Sequence, residues 1–277
     1  MSEGRNVAFL GGGKMGEALV SGLIRSGARK PEELTVTCRR EERAKELADR
    51  YEVSTTLDNP QAVAWADTLV ITVKPQDMEA LLEVIADRVG VAQLVISFAA
   101  GIRTSFIERR LTREVPVVRV MSNVAVQVDE AMSVVSPGSL AGDKHLALAE
   151  ELLSAVGRVI RLPEAQQDAV TATSGSGPAY FFLLAEAMIE ACILLGLSRD
   201  VASELIIQTM LGSAKMLRDT GRHPVELREM FTSPGGTTIA AIRHLEQAGV
   251  RAAFLNAIDA ARQRSAELAR GEDPEEE

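Results

Sequence analysis

The chain is 277 residues long, which predicts one large domain or two ordinary ones. Its content of 46% apolar and 25% charged residues is that of a globular protein with ample core, which argues against disorder except over the last residues, Asp273-Pro274-Glu275-Glu276-Glu277. A net charge of −9 argues against a nucleic-acid binder, and two cysteines, Cys38 and Cys192, are too few for a disulfide framework.

Met1-Ser2-Glu3-Gly4-Arg5 starts no apolar run of signal-peptide length ahead of Gly11, so a cytoplasmic protein is expected. From there, short β-branched runs alternate with charged amphipathic segments, the rhythm of a parallel sheet with helical crossovers. Strands are predicted at Val7–Leu10, Leu34–Cys38, Thr68–Val73, Leu94–Ser97 and Val117–Met121, with weaker signals at Met132–Val135 and Val159–Leu162. Helices such as Glu41–Arg50 and Asp77–Arg88 fill the intervals. After Pro163 the β-branched runs disappear, and Ala, Leu, Met and Glu dominate, with breaks at Gly175–Pro178, Gly196-Leu197-Ser198, Gly221–Pro224 and Ser233–Gly236. The expected architecture is α/β: a Rossmann-like domain over residues 1–163, then an all-helical domain over 164–277.

The longest apolar stretch, Ala179–Leu195, is shorter than the ~20 residues a membrane span needs and carries Glu186 and Glu190. A helix apolar nearly all round should be buried in protein, and a lone soluble monomer rarely tolerates so much exposed apolar surface. Self-association is therefore expected.

Gly11-Gly12-Gly13-Lys14-Met15-Gly16 reads G-x-G-x-x-G, follows the first strand and opens a helix. Gly11 suits the tight turn, Gly13 lets backbone approach a pyrophosphate, and Gly16 lets the helix pack on the strand. The helix N-terminus then faces the phosphate charge. The second strand runs into Cys38-Arg39-Arg40, where an NAD site usually places an acid for the ribose 2′-hydroxyl. Guanidinium groups there pair with a 2′-phosphate, so NADPH is favoured over NADH. The alternative is that both arginines are solvated residues at a helix start, neutralised by Glu41 and Glu42.

Lys74-Pro75 and Ala99-Ala100-Gly101 also follow strand ends, where ligands of open parallel sheets sit, although Lys74 reads equally as a surface lysine. The three histidines have no metal-ligand spacing with either cysteine, so no metal is expected. Ser174-Gly175-Ser176-Gly177-Pro178 lacks the lysine of a phosphate loop and reads as a helix start capped by Ser176 or Gly177. Thr232-Ser233-Pro234-Gly235-Gly236-Thr237-Thr238 precedes a helix predicted over Ile239–Gln247. Two glycines at a helix N-terminus, with the hydroxyls of Ser233, Thr237 and Thr238, could make a carboxylate-sized anion site, or simply a structural cap.

Together these segments resemble the pyrroline-5-carboxylate reductases over nearly the whole chain. The most specific pieces are Asp168-Ala169-Val170-Thr171, Ser174-Gly175-Ser176-Gly177-Pro178-Ala179-Tyr180 and the Thr232–Thr238 segment. The resemblance implies hydride transfer from NAD(P)H to the C=N bond of 1-pyrroline-5-carboxylate, giving L-proline, the last step of proline biosynthesis. It also implies a homodimer built by the helical domain, or a larger assembly of dimers. By it, cofactor contacts fall to Gly12, Lys14, Met15, Asn59, Val73, Lys74 and Ala100, with Asn123 near the nicotinamide. Ser233, Gly236 and Thr237 would hold the substrate carboxylate, Thr238 would bond the ring nitrogen, and Glu164 matches an acidic residue of the substrate site. The chain departs from the family at Met121-Ser122-Asn123-Val124-Ala125, where the family usually shows Met-Pro-Asn-Thr-Pro.

Two other readings are weighed against this one. A β-hydroxyacid dehydrogenase or related imine reductase would place a lysine on the helix after a glycine-rich segment, but none occurs between Lys144 and Lys215. A non-catalytic cofactor-binding regulator is suggested by the altered Met121–Ala125 segment and opposed by the intact Ser233–Thr238 turn.

Overall fold

The fold is that of a computed structural model describing residues 6–272, with side chains over 6–269. The leading Met1–Arg5 and the acidic Asp273–Glu277 lie outside the described residues. Eight strands, β1 (Val7–Leu10), β2 (Leu34–Thr37), β3 (Ser54–Thr56), β4 (Thr68–Ile71), β5 (Leu94–Ser97), β6 (Val117–Met121), β7 (Ala131–Pro137) and β8 (Gly157–Arg161), form one sheet in the order β3-β2-β1-β4-β5-β6-β7-β8. Every pairing is parallel except β6 with β7. The helices among them are α1 (Lys14–Arg25), α2 (Glu41–Tyr51), α3 (Asn59–Trp65), α4 (Met78–Ile85), α5 (Thr104–Arg110) and α6 (Asp143–Ser154). After the sheet come α7 (Gln167–Val170), α8 (Gly177–Leu194), α9 (Arg199–Thr220), α10 (Pro224–Met230), α11 (Thr237–Gln247) and α12 (Val250–Glu272).

The central strands β1, β4, β5 and β6 are buried, largely apolar runs because helices cover both faces of the sheet there, whereas the edge strands β3 and β8 are polar and more exposed. In β1, Val7 and Phe9 enter one core cluster while Ala8 and Leu10 enter the other. Both clusters are built from alternate residues of the same strands, as the period of two requires.

Two compact units result, one running to Ser176 and resuming at Ala261, the other formed by Gly177–Ala260. The change of texture at Pro163 thus precedes the change of packing. Glu164–Ser176 stays with the sheet because Val170 packs on Met121 and Val134, and the buried Gln167 donates to Ser136 Oγ at 2.7 Å.

Several expectations shift. Pro75 opens a short 3-10 turn over Pro75–Asp77, so α4 begins later and ends earlier than predicted. The expected break at Gly175–Pro178 is a π turn over Thr171–Gly175 that runs into α8. Thr171 and Thr173 donate their hydroxyls back to the carbonyls of Gln167 and Ala169, each at 2.8 Å, which bends the helix, while Ser176 N closes the π turn on the Thr171 carbonyl at 2.8 Å. The helical run from Glu164 to Leu194 is therefore 31 residues, long and apolar enough by composition to cross a membrane, so shortness does not exclude a span. In the single chain this helix is also not buried: Phe181, Phe182 and Leu183 are each more than 60% exposed.

Candidate active site

β1 lies between β2 and β4, so the chain reverses its direction of progress across the sheet there. Such a switch point opens a crevice beyond the C-terminal strand ends. A cavity of about 720 Å³ occupies it, lined by Gly11, Gly12, Gly13, Cys38, Arg39, Arg40, Asn59, Val73 and Lys74 among others. Nine predicted cofactor residues from four segments are thereby brought to one place. Lys14, Met15 and Gly16 open α1 beside it, whereas Ala100 lies on the loop after β5 and Asn123 follows β6.

The glycines have separable physical reasons. Gly11 takes φ +121°, a conformation that L side chains rarely adopt, and its N–H bonds Thr37 Oγ1 at 3.2 Å. A β-carbon at Gly16 would collide with the Gly11 carbonyl oxygen, and one at Gly12 with the Cys38 sulfur. A β-carbon at Gly13 would meet nothing within 4 Å, so this backbone is bare toward open space. Burial pushes the Cys38 thiol above its ordinary range, against the opposing pull of Arg43 and the Gly12 backbone. Cys38 thus fills space under the glycine turn rather than offering a thiolate.

Arg39 is largely exposed and pairs with Asp77 at 3.2 Å. An exposed pair of this kind holds the guanidinium weakly, leaving it able to turn to a phosphate. No carboxylate ends β2, and Arg39, Arg40, Arg43 and Lys74 line the cavity with a single acid, Asp77, so its lining is net cationic beside a bare glycine backbone. Arg43, unnoticed in the sequence, also lines the cavity. Its Nε donates to the Gly12 carbonyl at 2.9 Å, and its other nitrogens bond Glu17 and Glu46. Its signal was its place in the first turn of α2, three residues beyond Arg40.

Glu164 lies at the start of α5, accepting from Thr104 N at 2.8 Å, Thr104 Oγ1 at 2.7 Å and the buried Arg119 at 3.2 Å. In the second unit, Gly235 takes φ +72° and Gly236 is the N-cap of α11, which begins at Thr237 rather than Ile239. Gly236 N donates to the Ser233 carbonyl at 3.1 Å, folding Ser233 beside the first turn. Ser233, Thr237 and Thr238 are exposed in the single chain. A glycine N-cap brings no side-chain acceptor to the first-turn N–H groups, which suits an anion.

Residues 6–101 match the family model described as NADP oxidoreductase, coenzyme F420-dependent, and residues 164–268 match that of pyrroline-5-carboxylate reductase dimerisation. The chain is 44% identical to the pyrroline-5-carboxylate reductase of Methanosarcina acetivorans, covering 96% of this chain and 98% of that protein. Among solved structures, a pyrroline-5-carboxylate reductase from Coxiella burnetii superposes with a TM-score of 0.90 at 37% identity, covering 96% and 99% of the two chains. The pyrroline carboxylate reductase of Plasmodium falciparum, solved with NADP bound, gives 0.87 at 26% identity, covering 97% and 100%. The protein belongs to the pyrroline-5-carboxylate reductase family.

Proposed function

We propose that this chain reduces 1-pyrroline-5-carboxylate to L-proline with NADPH, NADH being the weaker alternative. The observation that carries the reading is the co-occurrence, in a chain of this family, of a cation-rimmed cavity at the sheet's switch point and the Ser233–Thr238 turn opening α11. The nicotinamide, when bound, supplies the hydride. Gly12, Gly13 and the α1 N-terminus with Lys14 receive the pyrophosphate. Arg39 and Arg40 take the 2′-phosphate, and Met15, Asn59, Val73, Lys74, Ala100 and Asn123 complete the bed.

Ser233, Gly236 and Thr237 hold the substrate carboxylate, Thr238 directs its hydroxyl at the ring nitrogen, and Glu164 contributes to the substrate side. An imine gains a proton more readily than a carbonyl does, so the residues chiefly orient the C=N bond and stabilise the forming amine. The absence of a lysine between Lys144 and Lys215 fits that economy of acid catalysis.

The exposed apolar surface of α8 fits a homodimer, alone or within a larger assembly of dimers, in the cytoplasm, with no nucleic-acid or membrane partner. The decisive experiment measures NADPH oxidation with pyrroline-5-carboxylate. Turnover with L-proline as product is expected. Cofactor binding without turnover would leave a regulator, and activity only with hydroxyacids would leave a dehydrogenase.

A further inference from the structure

From Ala261 onward, α12 belongs to the compact unit that holds the sheet. Ser265 is 6% exposed and Ala269 is 4% exposed, and, four residues apart, they share one helix face. Ser265 Oγ donates to Asp168 Oδ1 at 2.7 Å, which fixes the rotation and height of the helix against α7. One turn further on, the helix meets Gly101 backbone to backbone. A β-carbon at Gly101 would stand 3.5 Å from Ala269 N and 3.6 Å from Ala269 Cα. At those distances an added β-carbon would make ordinary van der Waals contact with the helix backbone, so the helix flanks the loop here and it is the φ of +78° that favours glycine at 101.

Gly101 follows Ala100 on the loop leaving β5. We infer that the last turns of α12 are a strut that fixes the Ala99–Gly101 loop, with Ser265 and Ala269 as positioning residues for Ala100 in the cofactor site. The inference rests on the NADPH reading given above. Glycine is conformationally permissive, so contacts from the helix help hold this loop in one conformation. Without the strut, cofactor binding must order the loop, so affinity falls while chemistry on the saturated enzyme is untouched.

The test uses the full chain with Ser265→Ala, Ser265→Thr and Ala269→Leu. NADPH affinity is read by fluorescence titration, turnover at saturating NADPH by absorbance, and assembly by light scattering. Ser265→Ala and Ala269→Leu should each raise the NADPH Kd by about three- to tenfold, the factor that loss of one ordinary hydrogen bond or packing contact gives. The kcat at saturating NADPH, the KM for pyrroline-5-carboxylate and the assembled mass should stay at parental values. Ser265→Thr, which keeps the hydroxyl, should restore the parental Kd. Ser265→Ala is the milder change and keeps the test alive if Ala269→Leu misfolds. Folded variants with an unchanged Kd, or with kcat lowered instead, would overturn the inference. A parental protein that binds no NADPH overturns the cofactor reading, and this inference with it.

Discussion

Asn123 Nδ2 donates to the carbonyl of Ser174 at 3.2 Å, tying the segment after β6 to the π turn. The same side chain accepts from Ala125 N through Oδ1 at 3.1 Å, so both ends of the amide are used. Beside it, the buried Ser122 hydroxyl bonds Ser133 at 2.9 Å. These bonds supply rigidity where the family's usual prolines are missing, so the departure at Met121–Ala125 does not leave the segment slack. Asn123→Asp keeps the acceptor for Ala125 but sets a charged oxygen against the Ser174 carbonyl. We expect it to lower unfolding stability by about 0.5–1.5 kcal/mol, the net worth of an ordinary hydrogen bond at this half-buried position. Urea denaturation measures this, and a loss within error would mean that water replaces the bond.

The cavity rim predicts cofactor choice. Arg39→Asp should raise the KM for NADPH far more than that for NADH, because attraction at a 2′-phosphate becomes repulsion. The exposed Asp77 pair contributes little to stability, so the melting temperature should hold. Equal effects on both cofactors would remove the phosphate role from Arg39.

Much of this was legible in the sequence. β1, β2, β4, β5 and β6 announce themselves as β-branched runs, and the first three end in the glycine, arginine and lysine residues that line the cavity. β3 was not legible because Ser54-Thr55-Thr56 is a short, polar edge strand with no apolar signature. The antiparallel turn of β7 also left no local trace, since apolar runs look alike in either direction. The π turn was masked by its composition: Thr, Ser and Gly argue for a break, and the backbone bond from Ser176 N to the Thr171 carbonyl that keeps the chain helical leaves no sequence trace. Arg43 was passed over because its role depends on Glu17, which is 26 residues distant and meets it only in the fold.

Glu17 sets a pH dependence. Burial, its largest single influence, pushes the carboxyl upward, but bonds from Arg43 and Tyr51 and the charges of Arg43 and Arg50 together hold it below the ordinary 4.5. A depressed carboxylate contributes stability that is complete above the unfolded value and is lost as pH falls through the folded one. Stability should therefore decline below pH 4.5, and Glu17→Gln should flatten that decline while lowering stability at neutral pH. Parallel acid curves for the two proteins would show that the cluster contributes nothing.

The exposed α8 surface predicts assembly. Leu183 is 67% exposed in the single chain, between Phe182 and Leu184. Leu183→Asp should reduce the mass seen by light scattering, since a charge buried without a partner at an interface is costly. If the parent is instead monomeric and partitions into lipid vesicles, α8 is acting as a membrane segment.

Thr238 is the second residue of α11, beside the two-glycine turn. Its hydroxyl can donate to or accept from the substrate nitrogen as bonding passes from imine to amine. Thr238→Ala removes that bond while leaving Ser233, Gly236 and Thr237 to hold the carboxylate. An interaction that strengthens in the transition state appears in kcat, whereas one made equally in the ground state appears in KM. We expect kcat/KM to fall by roughly ten- to a thousandfold, about 1.4–4 kcal/mol of transition-state stabilisation, mainly through kcat. NADPH affinity should barely change, because the predicted cofactor contacts all lie in the first unit. A threonine in a first helical turn can also serve the fold, so melting temperature and assembled mass must match the parent before kinetics are compared. A folded Thr238→Ala protein with parental kcat/KM would make the hydroxyl structural and move the catalytic role elsewhere on the turn.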